Sequence, residues 1–270
     1  MQFGLFTCGY QRLSLETAFR DAANFGYDYI ELWGGRPHAF APDLLSGEAA
    51  EIRRLIQRYH MPVRVYTPEH NAYPYNYMLG SQTQWESCMA YLADALRAAR
   101  AIGAEYTLIS VGHGGSADNA YRWQRLLRSL RTLAEDAERI GQKILLETLT
   151  PFESNTCTRC QELAAAIEAV NSPALYGMCD VVVPYVQGED AADYVRLLGE
   201  KMAHLHLVDG DGVSETHLVP GEGVMPLRQM LGDIRAAGYD GMATLELVTN
   251  YLSDPTYYAG LALERAKELL

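Results

Sequence analysis

A regular alternation of strand and helix patterns runs along the whole chain, and it limits the possible folds more than any other feature. Short apolar runs of strand length recur eight times, and a segment with apolar residues at helical spacing follows each of them. Strands are expected at residues 2–8, 29–33, 63–66, 106–111, 143–147, 175–183, 203–208 and 242–248. Helices are expected after Ser14 as N-cap, at 46–59, 82–101, 119–140, 159–170, 191–198 and 226–237, and after Asp254.

Eight strand–helix units in 270 residues are typical of a (β/α)8 barrel, the TIM barrel of the α/β class. No linker, low-complexity run or shift in composition divides the sequence. We therefore expect a single barrel domain that spans residues 1–270. A doubly wound open sheet shows the same alternation and is the structural alternative.

Four of the expected strands end in a side chain that can bind a metal ion. We call these residues the quartet: Glu147, Asp180, His206 and Glu246. The C-terminal ends of parallel strands converge in a barrel, and a charge at the end of a buried strand is costly unless it is paired. We therefore expect the quartet to meet on one ion. Taken singly, each residue has an ordinary explanation: an Arg partner for either Glu, a turn cap for Asp180, and core packing for His206. His204 points the same way one layer deeper, and we expect it to be a core histidine.

The chemistry of the quartet favours a hard divalent ion. Three carboxylates and one imidazole suit Mn²⁺, Mg²⁺ or Co²⁺, and Zn²⁺ is also compatible with them. We expect one ion per subunit, with Mn²⁺ as the first choice. Without a cation, three carboxylates held this close would repel one another and take up protons.

The composition excludes several classes of partner. The formal net charge is −12, whereas binding to nucleic acid or to an anionic membrane requires clustered Lys and Arg. No apolar run is long enough to span a membrane, and the N-terminal segment lacks the pattern of a signal peptide. The five cysteines have irregular spacing, which favours a reducing, cytoplasmic location. The Cys157–Cys160 pair makes a lone CxxC, which we interpret as two incidental thiols.

Several long segments resemble the sugar isomerase/epimerase family, the barrels related to xylose isomerase. The resemblance covers nearly the whole chain, and its most specific segment is WGGRPHAFAPDL. Within the family, the sequence is most similar to the branch of epimerases that act on fructoselysine. The segments that carry this similarity are LFTCGYQRL, YIELWGGRPHAFAPDL, YTPEHNAYPYNYMLG, YTLIS, LTPFESN, HLHLVDGDG, THLVPGEGVMPLR and LELVT.

The resemblance implies a metal-dependent ketose 3-epimerase with an unphosphorylated substrate. It implies interconversion of fructoselysine and psicoselysine through a metal-stabilised cis-enediolate. By position, the quartet matches the family's metal ligands, and Glu147 and Glu246 also match its two catalytic carboxylates. Glu153 matches a glutamate that contacts the first hydroxyls of the substrate.

The chain departs from the tagatose-type members of the family at two substrate-binding positions. A histidine expected three residues after the strand-six ligand is Val183, and an arginine expected six residues after the metal histidine is Gly212. Substrate contacts must therefore differ from that branch, which fits a bulkier substrate. We expect His217 to supply one of the missing polar groups.

The amino-acid arm of such a substrate also needs partners. Arg36 and His38 follow strand two, and we expect them to hold a carboxylate, because Arg offers a bidentate fork. A role of Arg36 in stabilising its own loop is the alternative. His113 is a further candidate contact. The pocket walls are expected to come from a group of tyrosines, with ordinary packing as the alternative for the last two: Tyr66, Tyr73, Tyr75 and Tyr77.

Other functions remain open on the sequence alone. The first keeps the chemistry and changes the substrate, to another unphosphorylated ketose, with epimerisation or aldose–ketose isomerisation as the reaction. A metallophosphodiesterase like endonuclease IV is disfavoured, because the chain is acidic and Val183 replaces a metal-binding histidine. A sugar-binding barrel without catalysis is a third reading. We also expect a homo-oligomer with a small-molecule substrate as its partner.

Overall fold

The structure is a computed structural model that describes residues 1–72 and 74–270, so that Tyr73 lies outside the described residues. Eight parallel strands close into a barrel in chain order, and the last strand pairs with the first. The strands are β1 (Gln2–Phe6), β2 (Tyr29–Gly34), β3 (Val63–Pro68), β4 (Tyr106–Ser110), β5 (Lys143–Glu147), β6 (Leu175–Asp180), β7 (Met202–His206) and β8 (Met242–Leu245). The expectation of a TIM barrel is confirmed, and the open sheet is excluded.

A ring of helices surrounds the strands. The main helices are α1 (Leu15–Phe25), α2 (Ala49–Tyr59), α3 (Gln82–Ile102), α4 (Asn119–Ile140), α5 (Cys160–Val170), α6 (Ala192–Leu198), α7 (Leu227–Ala236) and α8 (Pro255–Leu269). The side chains of Ser14 and Asp254 accept hydrogen bonds from the first turns of α1 and α8, as their N-cap positions predicted. No helix among the described residues is long and apolar enough to cross a membrane.

Inside the barrel, an apolar layer lies beneath a polar layer. The apolar layer is a buried cluster that includes Tyr29, Val65, Leu108, Leu145, Met178 and Met242. Side chains two residues apart on a strand share a face, so the next inward position of each strand lies closer to the C-terminal end. Those next positions are all polar: Glu31, Thr67, Ser110, Glu147, Asp180 and Thr244. The period of two therefore concentrates the chemical groups at one end of the barrel.

Several strands end earlier than the apolar runs predicted. β6 stops at Asp180 instead of residue 183, and β8 stops at Leu245 instead of residue 248. Val182 and Val183 stay buried, but they belong to a short helix, Val182–Val186, that covers the barrel end. A buried helix turn and a buried strand end have the same apolar composition, so the sequence pattern could not separate them. The helix predicted from residue 46 starts at Ala49 and follows an irregular turn.

The apolar layer should be a large contributor to stability, and Leu145→Ala tests this. Leu145 is fully buried in that cluster, so we expect the free energy of unfolding to fall by about 2–5 kcal/mol. Denaturant titration followed by circular dichroism measures the change. Leu197→Ala is the matched control, because Leu197 is 49% exposed and its loss should cost less than about 0.5 kcal/mol. Equal effects of the two substitutions would contradict this account of the core.

Candidate active site

The strand register brings the quartet to one level at the C-terminal end of the barrel. Asp180 on β6 pairs with His206 on β7, and His206 pairs in turn with Thr244 on β8. Glu246 lies two residues beyond Thr244, and Glu147 is the last residue of β5. One potential ligand atom from each of the four side chains lies within 4.8 Å of all the others. The structure therefore brings together the four residues that the sequence singled out.

The imidazole of His206 lies at the centre of this cluster. Its Nδ1 atom is 2.7 Å from Oε2 of Glu246 and 3.2 Å from Oε1 of Glu147. Neither contact has the angles of a hydrogen bond, and Nδ1 is buried without a hydrogen-bond partner among the described residues. A ring nitrogen that faces several carboxylate oxygens in this way has the geometry of a ligand that shares a cation with them.

The electrostatics of the quartet also indicate a missing positive charge. Burial raises the pKa of the Glu147 carboxyl to about 7; His206 opposes the rise, and the charges of Glu246 and Asp180 add to it. Burial alone would lower the pKa of His206, but Glu31 and Glu246 outweigh it and move the pKa well above its usual range. Buried carboxyl groups with these opposing influences are groups that a divalent cation would stabilise in their ionised form. Three carboxylate oxygens and one nitrogen form a candidate metal site whose donor set fits Mn²⁺, Mg²⁺, Co²⁺ or Zn²⁺.

Glu31 is a buried carboxylate behind His206 that the sequence reasoning did not identify. It is fully buried, and both of its oxygens contact histidine nitrogens, Nε2 of His204 at 2.9 Å and Nε2 of His206 at 3.1 Å. Burial would raise the pKa of Glu31, but the two histidines hold it well below its usual range. A signal was available, because Glu31 is a lone charge between Ile30 and Leu32 in a buried strand. The expectation that His204 is a core histidine agrees with its complete burial and its contact to Glu31, while its Nδ1 has no hydrogen-bond partner among the described residues.

Two loops place further ionisable side chains at the mouth of the site. Glu215 and His217 follow β7, and Glu153 follows β5. Nε2 of His217 lies 2.9 Å from Oε1 of Glu215 and 3.3 Å from Oδ2 of Asp180, and Nδ1 of His217 lies 3.5 Å from Oε2 of Glu246. Glu153 lines the same space, and burial followed by repulsion from Glu215 raises its pKa to about 8. His217 and Glu153 are therefore within reach of a ligand that contacts the quartet.

A cavity of about 540 Å³ opens above the quartet, and its walls are strongly acidic. It is lined by six carboxylic side chains, and no Lys or Arg lines it in the part of the chain that the structure describes. At the rim, Nε1 of Trp33 donates a hydrogen bond to Oε2 of Glu69 at 2.6 Å. A positively charged ligand group would be attracted into this cavity, and a phosphate would be repelled.

The structure does not bring the other predicted contacts to the cavity. Arg36 makes a bidentate pair with Asp43, at 2.6 and 2.7 Å, and its guanidinium is exposed away from the cavity. His38 contacts the carbonyl oxygen of Leu13, and the hydroxyl of the buried Tyr66 donates to the carbonyl of Ala39. None of the three lines the cavity, so the expected carboxylate clamp of Arg36 and His38 and the expected wall at Tyr66 are corrected.

His113 and two of the predicted tyrosines also lie off the cavity wall. His113 is exposed, and its Nδ1 accepts a hydrogen bond from the backbone of Gly115. The hydroxyl of Tyr77 is buried and donates to the carbonyl of Ser110, while Tyr75 stacks on Tyr91 with ring centroids 3.8 Å apart. These side chains pack the loops, which was the ordinary alternative for Tyr75 and Tyr77. Loop side chains were hard to place from sequence because no strand period fixes their direction.

A family model, a curated relative and several solved structures match this chain over nearly its whole length. A model of the xylose isomerase-like TIM barrel family matches residues 19–269. Fructoselysine 3-epimerase of Shigella flexneri is 49% identical over 272 residues, which cover 100% of this chain and 98% of that protein. Among solved structures, the IOLI protein with a bound zinc atom has a TM-score of 0.83 at 15% identity and covers 100% of this chain and 98% of its own. D-psicose 3-epimerase of Clostridium cellulolyticum H10, solved with D-tagatose, has a TM-score of 0.81 at 17% identity, with coverage of 100% and 99%. At these low identities the two solved structures support the fold alone.

Proposed function

The chain belongs to the xylose isomerase-like TIM barrel family, and from this premise we propose that it is a metal-dependent ketose 3-epimerase that interconverts fructoselysine and psicoselysine. The chain is an isomerase, and its 49% identity to a fructoselysine 3-epimerase supports both the reaction and the substrate. The observation that carries the proposal is the quartet, four ligand-type side chains gathered beneath an acidic cavity in a chain with that similarity.

Epimerisation at C3 needs a proton removed from one face of the sugar and returned to the other. The C3 hydrogen is acidic because it lies next to the C2 carbonyl, and its removal gives an enediolate. A divalent ion held by the quartet would polarise that carbonyl and stabilise the developing negative charge. Glu147, Asp180, His206 and Glu246 are the proposed ligands of the ion.

Glu147 and Glu246 are the proposed acid–base pair. Both lie close to Nδ1 of His206 and come from different strands, Glu147 from β5 and Glu246 from just after β8. We propose that each serves one face of the sugar. A carboxylate has two oxygens, so that each Glu can give one to the ion and use the other for the proton. General acid–base catalysis by such groups contributes roughly 10²- to 10⁴-fold to the rate. Glu153 and His217 are proposed to contact the sugar hydroxyls from the mouth.

The acidic cavity supports a substrate that carries an amine. In fructoselysine the sugar is joined through a secondary amine, and both that amine and the α-amino group of the lysine are cationic near neutral pH. We propose that Glu69, held by Trp33 at the rim, receives one of these cations. A hydrogen bond to a charged group contributes roughly 1.5–3 kcal/mol. This corresponds to a preference of about tenfold to a hundredfold over an uncharged ketose.

Exchange of the C3 hydrogen with solvent deuterium tests the function directly. The Mn²⁺-loaded protein should incorporate deuterium at C3 of fructoselysine, with a kcat/KM about tenfold or more above that for D-fructose, as followed by proton NMR in D₂O. Glu69→Gln should reduce this preference, because it removes the charge and keeps the size. Arg36→Ala is the matched control at the neighbouring loop, and it should leave kcat/KM within about twofold. Faster exchange with D-fructose than with fructoselysine would contradict fructoselysine as the substrate and would favour a free ketose.

The domain organisation, location and assembly of the enzyme are proposed as well. We take residues 1–270 as one catalytic domain, supported by a family match over residues 19–269. A cytoplasmic location is supported by the five cysteines, all of which are buried free thiols. A homo-oligomer is also part of the proposal, and the mass of the protein in solution, measured by light scattering, tests it.

A further inference from the structure

Glu31 makes contacts that the proposed reaction does not use. It lies on β2, is fully buried, and its oxygens meet three donors from the opposite and adjacent walls of the barrel. Oε1 accepts from Oγ1 of Thr67 at 2.7 Å and lies 3.1 Å from Nε2 of His206, while Oε2 lies 2.9 Å from Nε2 of His204. A carboxylate buried this completely needs such partners, because its transfer from water is otherwise very costly.

The contacts determine which nitrogen of each histidine carries a proton. An ionised carboxylate only accepts hydrogen bonds, so the imidazole nitrogens that face it must donate. Nε2 of His206 then donates to Glu31, which leaves Nδ1, on the side of Glu147 and Glu246, as the nitrogen that would bind an ion. The bond from one ring nitrogen to a carboxylate commonly sets the tautomer and orientation of a metal-bound histidine.

The two histidines also hold Glu31 itself in place. β2 and β7 are not neighbours in the barrel, so the carboxylate spans the interior to reach His204 and His206. Because one oxygen contacts each ring, the carboxylate cannot rotate without losing a bond. Thr67 on β3 adds a third contact from the adjacent strand. The result is a rigid link between the wall of β2 and the candidate ligand on β7.

We propose that Glu31 is a positioning residue that fixes His206 in its Nε2–H tautomer and turns Nδ1 toward the ion, with His204 as the clamp that holds Glu31. This inference rests on the proposed metal site. Loss of a carboxylate behind a metal-bound histidine commonly weakens metal binding by about 10- to 100-fold. Glu31→Gln should have an effect of this size, because an amide presents an NH₂ group to one of two rings that also donate.

The first test uses the unaltered chain. Protein labelled with ¹⁵N-histidine and loaded with Zn²⁺ is examined by long-range proton–nitrogen NMR, which distinguishes a protonated ring nitrogen from a metal-bound one. We expect one ring to shift on addition of Zn²⁺, with Nδ1 as the metal-bound atom and a slowly exchanging proton on Nε2. Metal binding through Nε2, or an Nε2 without a proton, would overturn the proposal.

The second test measures the dissociation constant of Mn²⁺ by electron paramagnetic resonance. Glu31→Gln should raise the Kd about 10- to 100-fold. Thr67→Val removes one of the three contacts to Glu31 and leaves both histidines, so its Kd should rise less than that of Glu31→Gln. Glu264→Gln, at an exposed position of α8, is the control and should leave the Kd unchanged. An unchanged Kd in Glu31→Gln would overturn the role of Glu31, whereas failure of the unaltered protein to bind Mn²⁺ would instead remove the proposed metal site. If Glu31→Gln does not fold, the tautomer in the unaltered chain decides the question.

Discussion

Glu246→Gln should nearly abolish deuterium incorporation at C3 of fructoselysine, with a fall in rate of about 10²- to 10⁴-fold or more. The substitution keeps the size of the side chain and removes its ability to take up a proton. Oε2 of Glu246 lies 2.7 Å from Nδ1 of His206, so the change also weakens a proposed ligand of the ion. Both effects act in the same direction, and each tenfold in rate corresponds to about 1.4 kcal/mol of barrier.

The measurement has to separate the loss of the base from the loss of the ion. Exchange is therefore recorded at saturating Mn²⁺, with the bound metal determined in the same sample. Glu147→Gln should give a loss of similar size, since it removes the second proposed base. Glu264→Gln, at an exposed position of α8, is the control and should leave exchange unchanged. Exchange at the level of the unaltered protein in Glu246→Gln, with metal bound, would remove Glu246 from catalysis.

Removal of the divalent ion should abolish the reaction and leave the barrel folded. Without the ion, the developing negative charge loses several kcal/mol of stabilisation, so we expect activity to fall by about 10³-fold or more. Mn²⁺ or Co²⁺ should restore it. The fold should survive, because the apolar layer and the helices do not depend on the quartet. Exchange at C3 after dialysis against a chelator, and after readdition of each ion, is the measurement.

The same experiment has a readout in thermal stability. An ion that binds only the folded protein stabilises it by about 2.7 kcal/mol at a hundred times its Kd. Repulsion among Glu147, Asp180 and Glu246 falls at the same time, so the melting temperature should rise on addition of Mn²⁺. Asp180→Asn is the matched variant, because it removes one carboxylate charge from the quartet, and its rise should be smaller. Full activity in the dialysed protein with no metal bound would contradict the proposed chemistry.

The sequence predicted the barrel well because the fold depends on periodic features. The eight apolar runs located every strand. On each strand the next inward position lies two residues after the residue of the apolar layer, which explains why Glu147 and Asp180 face the same space. Prediction failed where the period ends. Residues 181–183 and 247–248 are apolar but leave the ladder, since burial at a barrel end does not require strand geometry.

The errors within the candidate site have two physical causes. Arg36 was assigned to the substrate from its place after β2, but the sequence could not reveal that Asp43, seven residues later, pairs with it. Glu31 has one local signal, a lone charge in a buried strand, but its role depends on His204 and His206, which are more than 170 residues away in the chain at the far wall of the barrel. Contacts across the interior leave no local pattern in the sequence.

The quartet is supplied entirely by the second half of the chain, from β5 to the residue after β8, whereas Trp33 and Glu69 at the rim lie near the end of β2 and directly after β3. Under the proposed function, the reaction and the choice of the amine-bearing arm are encoded in separate stretches of the gene. Recombination that exchanges the loops of the first half could therefore retarget the catalyst to other sugar conjugates while the proton-transfer machinery stays intact. This separation offers a practical route to new epimerases for amine-linked sugars.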